Sequence, residues 1–296
     1  MGGTTIKAEV TDPADGVVAD GTVPTPKGAA ALEAVAELGS RLIAAAGAVP
    51  VTAAGVVVPG IVDRERRIAV YSANIGWSDL PAGDLLERAW GLPVAVDHDV
   101  TCAGWAEWVT GAGQGCDDMV FVAIGTGIAS AVVSGGRMLL SRAAGRESGQ
   151  PGEIGHVVVR PGGPLCGCGA RGCLEAIASA TSIARAYAEV SGAAVAGALD
   201  VEHAAAHDDR ARKVWDEAVF ALADGLTIIA TLFAPERIVI GGGLGRSGDL
   251  LLTPLAALLP DRVRVQPVPT LALARHGTRA GLAGAALLAR RGRLSP

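Results

Sequence analysis

Aromatic side chains are scarce in this chain of 296 residues: phenylalanine, tyrosine and tryptophan together make up 3% of it. Half of the chain, 50%, is nonetheless hydrophobic. The core must therefore be built from alanine, valine, leucine and closely packed glycine, a composition that suits layered α/β structure with tightly packed helices. Lysine occurs only three times, and the 25 Lys and Arg residues are outnumbered by 30 Asp and Glu, for a formal net charge of -5. That balance excludes generic nucleic-acid binding through a basic surface. No apolar run reaches the ~18 residues of a membrane span. The opening MGGTTIKAEV lacks the charged segment and apolar stretch of a secretory signal. Cysteine is used five times. With no visible signal the expected compartment is the reducing cytoplasm, where thiols bind metal or do chemistry rather than form disulfides.

What is present is concentrated. Between Gly152 and Glu175 the sequence reads GEIGHVVVRPGGPLCGCGARGCLE, and it places His156, Cys166, Cys168 and Cys173 within 18 positions. One imidazole and three thiols are the ligand set of a closed tetrahedral zinc site. Gly167, Gly169 and Gly172 let a tight loop fold around an ion. Buried cysteines without metal are the plainer alternative, although Cys-x-Cys is a poor disulfide pair. Glu153 and Glu175 bracket the cluster, so the loop is expected to present carboxylates.

The length suggests about two domains. Strands are expected at Thr4–Val10, Val17–Val23, Ala53–Val58, Pro93–Val96, Asp118–Ile124, Ile128–Ser134, Arg237–Ile240 and Arg262–Val268. Helices are expected at Gly28–Gly47, Asp84–Trp90, Asp99–Gly111, Thr181–Val190, Val201–His207, Arg210–Phe233, Gly248–Leu259 and Thr278–Arg290. Two successive strand–hairpin–helix units imply a duplicated α/β architecture with a cleft between its halves.

Three glycine turns sit at strand ends: Gly2-Gly3-Thr4-Thr5, Gly125-Thr126-Gly127 and Gly241-Gly242-Gly243. Each alone reads as an ordinary tight turn. Together, two of them carrying threonine, they suggest a nucleotide site where backbone N–H groups cradle phosphate. None has Walker A or Rossmann spacing. Asp99 stands where an apolar strand gives way to a helix, a position that suits a proton-accepting carboxylate and equally an N-cap. Asp97 shares that ambiguity. Asn74, in Asn-Ile-Gly-Trp, reads as loop.

In order along the chain, GGTT, VVVPGIVD, NIGW, DHDVTCAGWAE, IGTG, GEIGH, CGCGARGCLE and the late GGG resemble the ROK family (repressor, open reading frame, kinase) of bacterial sugar kinases and repressors. The resemblance implies an actin-like ATPase (hexokinase-type) fold and ATP-dependent phosphorylation of a hexose hydroxyl, as in a glucokinase. It implies ATP, Mg²⁺ and structural Zn²⁺ as cofactors, a hexose as partner, no nucleic acid or membrane, and a homodimer or homotetramer. Asp99 becomes the general base. Gly60, Asn74, His98, Asp99, Glu153, His156 and Glu175 surround the sugar. Gly2, Gly3, Thr4, Thr5, Gly125, Thr126, Gly127, Gly242 and Gly243 surround ATP, and His156, Cys166, Cys168 and Cys173 hold zinc. The N-terminal domain covers 1–110 with a terminal helix at about 278–296, and the C-terminal domain covers 111–277 with the zinc loop at 152–175.

The sequence departs from the family pattern in three places. His98 replaces the usual asparagine, and Ala129 stands where glycine is common. Met1 sits where the family runs an apolar strand and an aspartate before Gly-Gly-Thr, so a natural start upstream and a weakened first domain are expected. A non-catalytic sugar-binding regulator and an N-acylated amino-sugar kinase, such as one for N-acetylmannosamine, are the alternatives.

Overall fold

The computed structural model describes residues 1–140 and 151–294. In chain order the elements are β1 (Thr5–Thr11), β2 (Val17–Pro24), α1 (Ala30–Ala45), β3 (Ala54–Val58), β4 (Ile61–Asp63), β5 (Ile68–Ser72), β6 (Trp77–Leu80), α2 (Ala82–Trp90), β7 (Val94–His98) and α3 (Asp99–Thr110). Then come β8 (Met119–Ile124), β9 (Ile128–Ser134), β10 (Arg137–Met138), α4 (Leu174–Ala178), α5 (Ala180–Ser191), α6 (Ala198–Ala204), α7 (Asp209–Phe233), β11 (Arg237–Gly241), α8 (Asp249–Arg262), β12 (Thr270–Leu273) and α9 (Ala280–Arg291). The chain divides into two compact units. One takes in Met1–Ala106 and Arg279 onward, the other Glu107–Leu139 and Pro151–Thr278.

The first unit carries three small sheets: the antiparallel pair β1–β2, the parallel pair β3–β7, and the antiparallel meander β4–β5–β6. Its core sets Leu32, Val35, Leu38 and Leu42 of α1 with Ile6, Val56, Val58, Val94 and Val96. The i, i+3, i+6, i+10 spacing of the α1 residues is that of one helix face. Helix α9 packs on β3 at a distance that only glycine permits, since a Cβ on Gly55 would collide with Ala285 O. The same helix meets α3 through Gly284, where a Cβ would collide with Cys102 O.

The second unit is built on one five-stranded sheet, ordered β10–β9–β8–β11–β12, with β8, β11 and β12 parallel. Val120, Val122, Ile124, Ile238 and Ile240 face Leu222, Leu226 and Ile229 of α7, all of them buried. Each such fully buried aliphatic side chain contributes about 1.5–3 kcal/mol. Among the described residues no helix is long and apolar enough to cross a membrane.

Two expectations need correction. Arg262–Val268 is not a strand. Arg262 closes α8, and the edge strand β12 begins only at Thr270. Pro267 and Pro269 have no N–H to give a ladder, so pairing with β11 starts beyond them. The meander β4–β6 was not expected either. Its strands are three to five residues long, and the charged turn 64–67, in which Arg67 has φ +57, separates β4 from β5.

One buried charge holds part of the second unit. Glu107 is 0% exposed, and its two oxygens accept from the backbone N–H groups of Ala112 (2.9 Å), Arg275 (2.9 Å) and His276 (2.7 Å). Glu107→Gln conserves shape but turns an amide N–H₂ toward an N–H donor. We expect a loss of about 1–3 kcal/mol, the cost of one buried unmet donor. It should be read as a lower urea midpoint with unchanged m-value.

Candidate metal centre and nucleotide turns

The loop that carries the cysteines closes on itself through backbone bonds. Val159 and Arg160 N–H both donate to Gly172 O (2.9 and 3.0 Å), Gly172 N–H to Pro164 O (2.8 Å) and Cys166 N–H to Ala170 O (2.8 Å). Gly172 has φ +79, and a Cβ there would collide with Arg160 O, so the closure requires glycine. The ligand atoms of His156, Cys166, Cys168 and Cys173 consequently lie within 4.8 Å of one another. A tetrahedral zinc with Zn–S bonds of about 2.3 Å has ligand–ligand edges of about 3.8 Å. Cys166 Sγ lies 3.6 Å from His156 Nδ1, and Cys168 Sγ lies 3.7 Å from Cys173 Sγ. Donor set and spacing both fit zinc.

Burial pushes the Cys166 thiol up and the Cys173 thiol up to about 12, whereas the Ala170 N–H draws Cys168 down. Metal entry therefore displaces protons from sulfur. With His156 Nδ1 turned to the cluster, Nε2 lies 3.9 Å from Glu153 Oε2, a carboxylate on the outer side of a ligand histidine. Arg160 ties the loop to α7. Its Nε bonds Glu217 Oε1 (2.7 Å) and its Nη1 bonds Asp224 Oδ2 (2.7 Å), while Arg262 holds the other Asp224 oxygen (3.0 Å). Sequence reasoning missed Arg160, whose Arg-Pro-Gly-Gly context reads only as a turn.

Two of the three glycine turns are neighbours. Strands β8 and β11 run parallel with Ala123 opposite Gly241, so Gly125–Gly127 and Gly241–Gly243 lie side by side beyond their carboxyl ends. Gly242 has φ +79, and a Cβ on it would collide with the backbone of Ile124. The first turn is fixed by Gly125 N–H to Gly127 O and by Ala180 N–H to Gly125 O, both 2.9 Å. It is also fixed by Ile128 N–H to Glu175 Oε2 at 3.0 Å. Exposed Thr126 stands at its tip. A cavity of about 150 Å³ opens beside it, lined by Thr126, Cys166, Glu175, Ser179, Ser182 and Arg185 among others.

The other expected residues belong to the first unit. Gly2–Thr5 forms a tight turn, with Gly2 N–H to Thr5 O (2.9 Å) and Thr25 Oγ1 to Gly2 O (2.8 Å). A Cβ on Gly3 would come within 3.9 Å of Asn74 Cβ, so that turn lies beside Asn74, which is exposed. Gly60 bends the chain after β3 with φ +99. Asp99 is the first residue of α3, yet His98 does the capping. Thr101 N–H donates to His98 Nδ1 (3.3 Å), and Thr101 Oγ1 lies 3.0 Å from the same nitrogen. Nδ1 thus accepts, and the ring proton sits on Nε2, 3.4 Å from Asp99 Oδ1. Asp99 Oδ1 also accepts from Val100 N–H (2.8 Å). Its other oxygen accepts no hydrogen bond among the described residues. Asp97, by contrast, is buried against Arg64 at 3.1 Å and is structural.

The model of the ROK family matches residues 1–292. The chain belongs to the ROK family. Glucokinase of Streptomyces coelicolor is 31% identical over 98% of this chain and 96% of its own length. Glucokinase of Halalkalibacterium halodurans is 38% identical over 68% of this chain, a match that spans 64% of that relative. A ROK family glucokinase from Streptomyces griseus, solved with glucose and AMPPNP, superposes with a TM-score of 0.83 at 32% identity, covering 99% of this chain and 98% of that one. The fold is the actin-like ATPase fold of the ROK sugar kinases.

Protein purified without chelator should hold one zinc per chain by elemental analysis. Cys168→Ser should lose most of it and lower the thermal midpoint. Zinc-free wild-type protein would rule the metal centre out.

Proposed function

We infer that this ROK chain is an ATP-dependent hexose kinase of the glucokinase type. The observation that carries the reading is the state of Asp99. One carboxylate oxygen is held by the Val100 N–H and faces the His98 Nε2, while the other accepts no hydrogen bond among the described residues. A sugar hydroxyl is a poor nucleophile at neutral pH, so a carboxylate at hydrogen-bond reach must take its proton as the O–P bond forms. Asp99 is that base, and His98 keeps its idle oxygen in place. The family resemblance assigns the remaining hydroxyls to Asn74, Glu153, His156 and Glu175, while Gly60 is required by its φ of +99 and its close approach to Tyr71 O. Carboxylates are acceptors only, which suits the many O–H donors of a hexose.

ATP phosphates are assigned to N–H groups of the paired glycine turns other than that of Gly125, which bonds Gly127 O. Mg²⁺ arrives with the nucleotide. Phosphoryl transfer through a loose transition state asks mainly for such positioning and charge neutralisation. His156, Cys166, Cys168 and Cys173 would hold zinc, and with four protein ligands it would supply rigidity to the loop that carries Glu153, His156 and Glu175 rather than chemistry. Free thiols arranged for metal suit a reducing cytoplasm, and assembly as a homodimer or homotetramer accompanies this reading.

Asp99→Asn should lower kcat on the order of 10²- to 10⁴-fold while sugar binding, measured by calorimetry, stays near wild type. Turnover close to wild type would place the base elsewhere. A panel of glucose, mannose, fructose, N-acetylglucosamine and N-acetylmannosamine, followed by ADP release, separates a glucokinase from an amino-sugar kinase. Sugar binding without ADP release would mark a sensor.

A further inference from the structure

Glu175 is expected at the sugar, but its carboxylate is already engaged with the nucleotide turn. Oε2 accepts from the backbone N–H of Ile128 at 3.0 Å, the first residue past Gly125-Thr126-Gly127. Oε1 lies 3.9 Å from Cys166 Sγ, on the side of the metal cluster. Gly127 is explained by the same contact. A Cβ on it would collide with Glu175 Oε2, whereas a Cβ on Gly125 would meet nothing within 4 Å. The glycine at 127 therefore makes room for a protein carboxylate, and phosphate approach is not needed to account for it. The rest of α4 acts in concert. Leu174 N–H donates to Val157 O (2.9 Å), and Ala180 N–H, at the start of α5, donates to Gly125 O (2.9 Å). The same cavity is lined by Thr126 from the turn and by Cys166 and Glu175 from the metal loop.

We propose that Glu175 is a positioning residue for the nucleotide: by holding the Ile128 N–H it fixes the Gly125–Gly127 turn in its phosphate-binding form, before and independently of any sugar. The proposal rests on the sugar-kinase reading and adds to it. A residue set only to grip sugar would leave nucleotide affinity unchanged when no sugar is present. A tether would not. One oxygen is committed to the turn and the other faces Cys166, so this single carboxylate links the metal loop to the nucleotide turn.

The test is the affinity for Mg²⁺-AMPPNP, with no sugar present, of the wild type, Glu175→Ala and Glu175→Gln. Alanine should raise Kd about 10-fold, the loss of one charge-assisted hydrogen bond. Glutamine, whose amide oxygen still accepts from Ile128, should stay within about 3-fold of wild type. Amide hydrogen exchange at Ile128 should quicken in the alanine variant and not in the glutamine variant, while core amides such as Ile240 remain protected as a control for folding. Unchanged AMPPNP affinity in Glu175→Ala, with Ile128 exchange also unchanged, overturns the proposal and leaves Glu175 a sugar ligand. Failure of the kinase reading looks different. The wild type would then bind no AMPPNP, and Ile128 exchange would still decide whether the tether exists.

Discussion

Three sulfur atoms and an imidazole nitrogen lie within 4.8 Å of one another, a convergence that a bound cation would strongly stabilise. As thiolates the sulfurs repel each other, and as thiols they are held only by weak S–H contacts. Much of the second unit is organised to impose that convergence. Gly172 receives two backbone donors, Arg160 fastens the loop to α7, and α4 leaves the last cysteine in the direction of the first nucleotide turn. Cysteine cluster, loop and glycine turn are links in one short chain of contacts, so a metal held there would steady the turn without taking part in a chemical step.

The parallel pairing of β8 and β11 is the second constraint. Parallel strands release their chains at the same end, so two turns distant in sequence arrive side by side. This is the general reason that ligands of α/β sheets gather beyond strand carboxyl ends. The turn before β1 obeys a different rule, since it precedes its strand and is held by Thr25 and Thr5.

The sequence was most legible where chemistry and spacing coincide. The metal ligands needed only residue type and interval, and the long apolar periods of α1 and α7 needed only a count. Asp99 was legible as a strand-end carboxylate, but its environment was not. Nothing in DHDV shows that His98 would cap the helix through Nδ1 and so direct its ring proton at Asp99. Contacts made to backbone were equally hidden. The bonds of Glu107 to the Arg275 and His276 N–H groups, and of Glu175 to that of Ile128, join segments remote in sequence, and a backbone N–H leaves no mark in the letters. Pro267 and Pro269 were in plain view, and an apolar alternation through them still read as a strand that could not pair.

The packing of α9 on β3 bears on how the protein is made. Gly55 is translated well before Ala285, yet the packing of α9 on β3 forms only when the two meet. The second unit draws on Glu107–Leu139 and Pro151–Thr278 and can close once Thr278 has left the ribosome. The first must wait, with the apolar faces of β3 and α3 uncovered for the time it takes to synthesise everything between. Contacts of such long range are the slow ones and the ones most open to aggregation. Nascent chains of this protein should therefore depend on chaperones while β3 and α3 stand uncovered far more than while the second unit is closing.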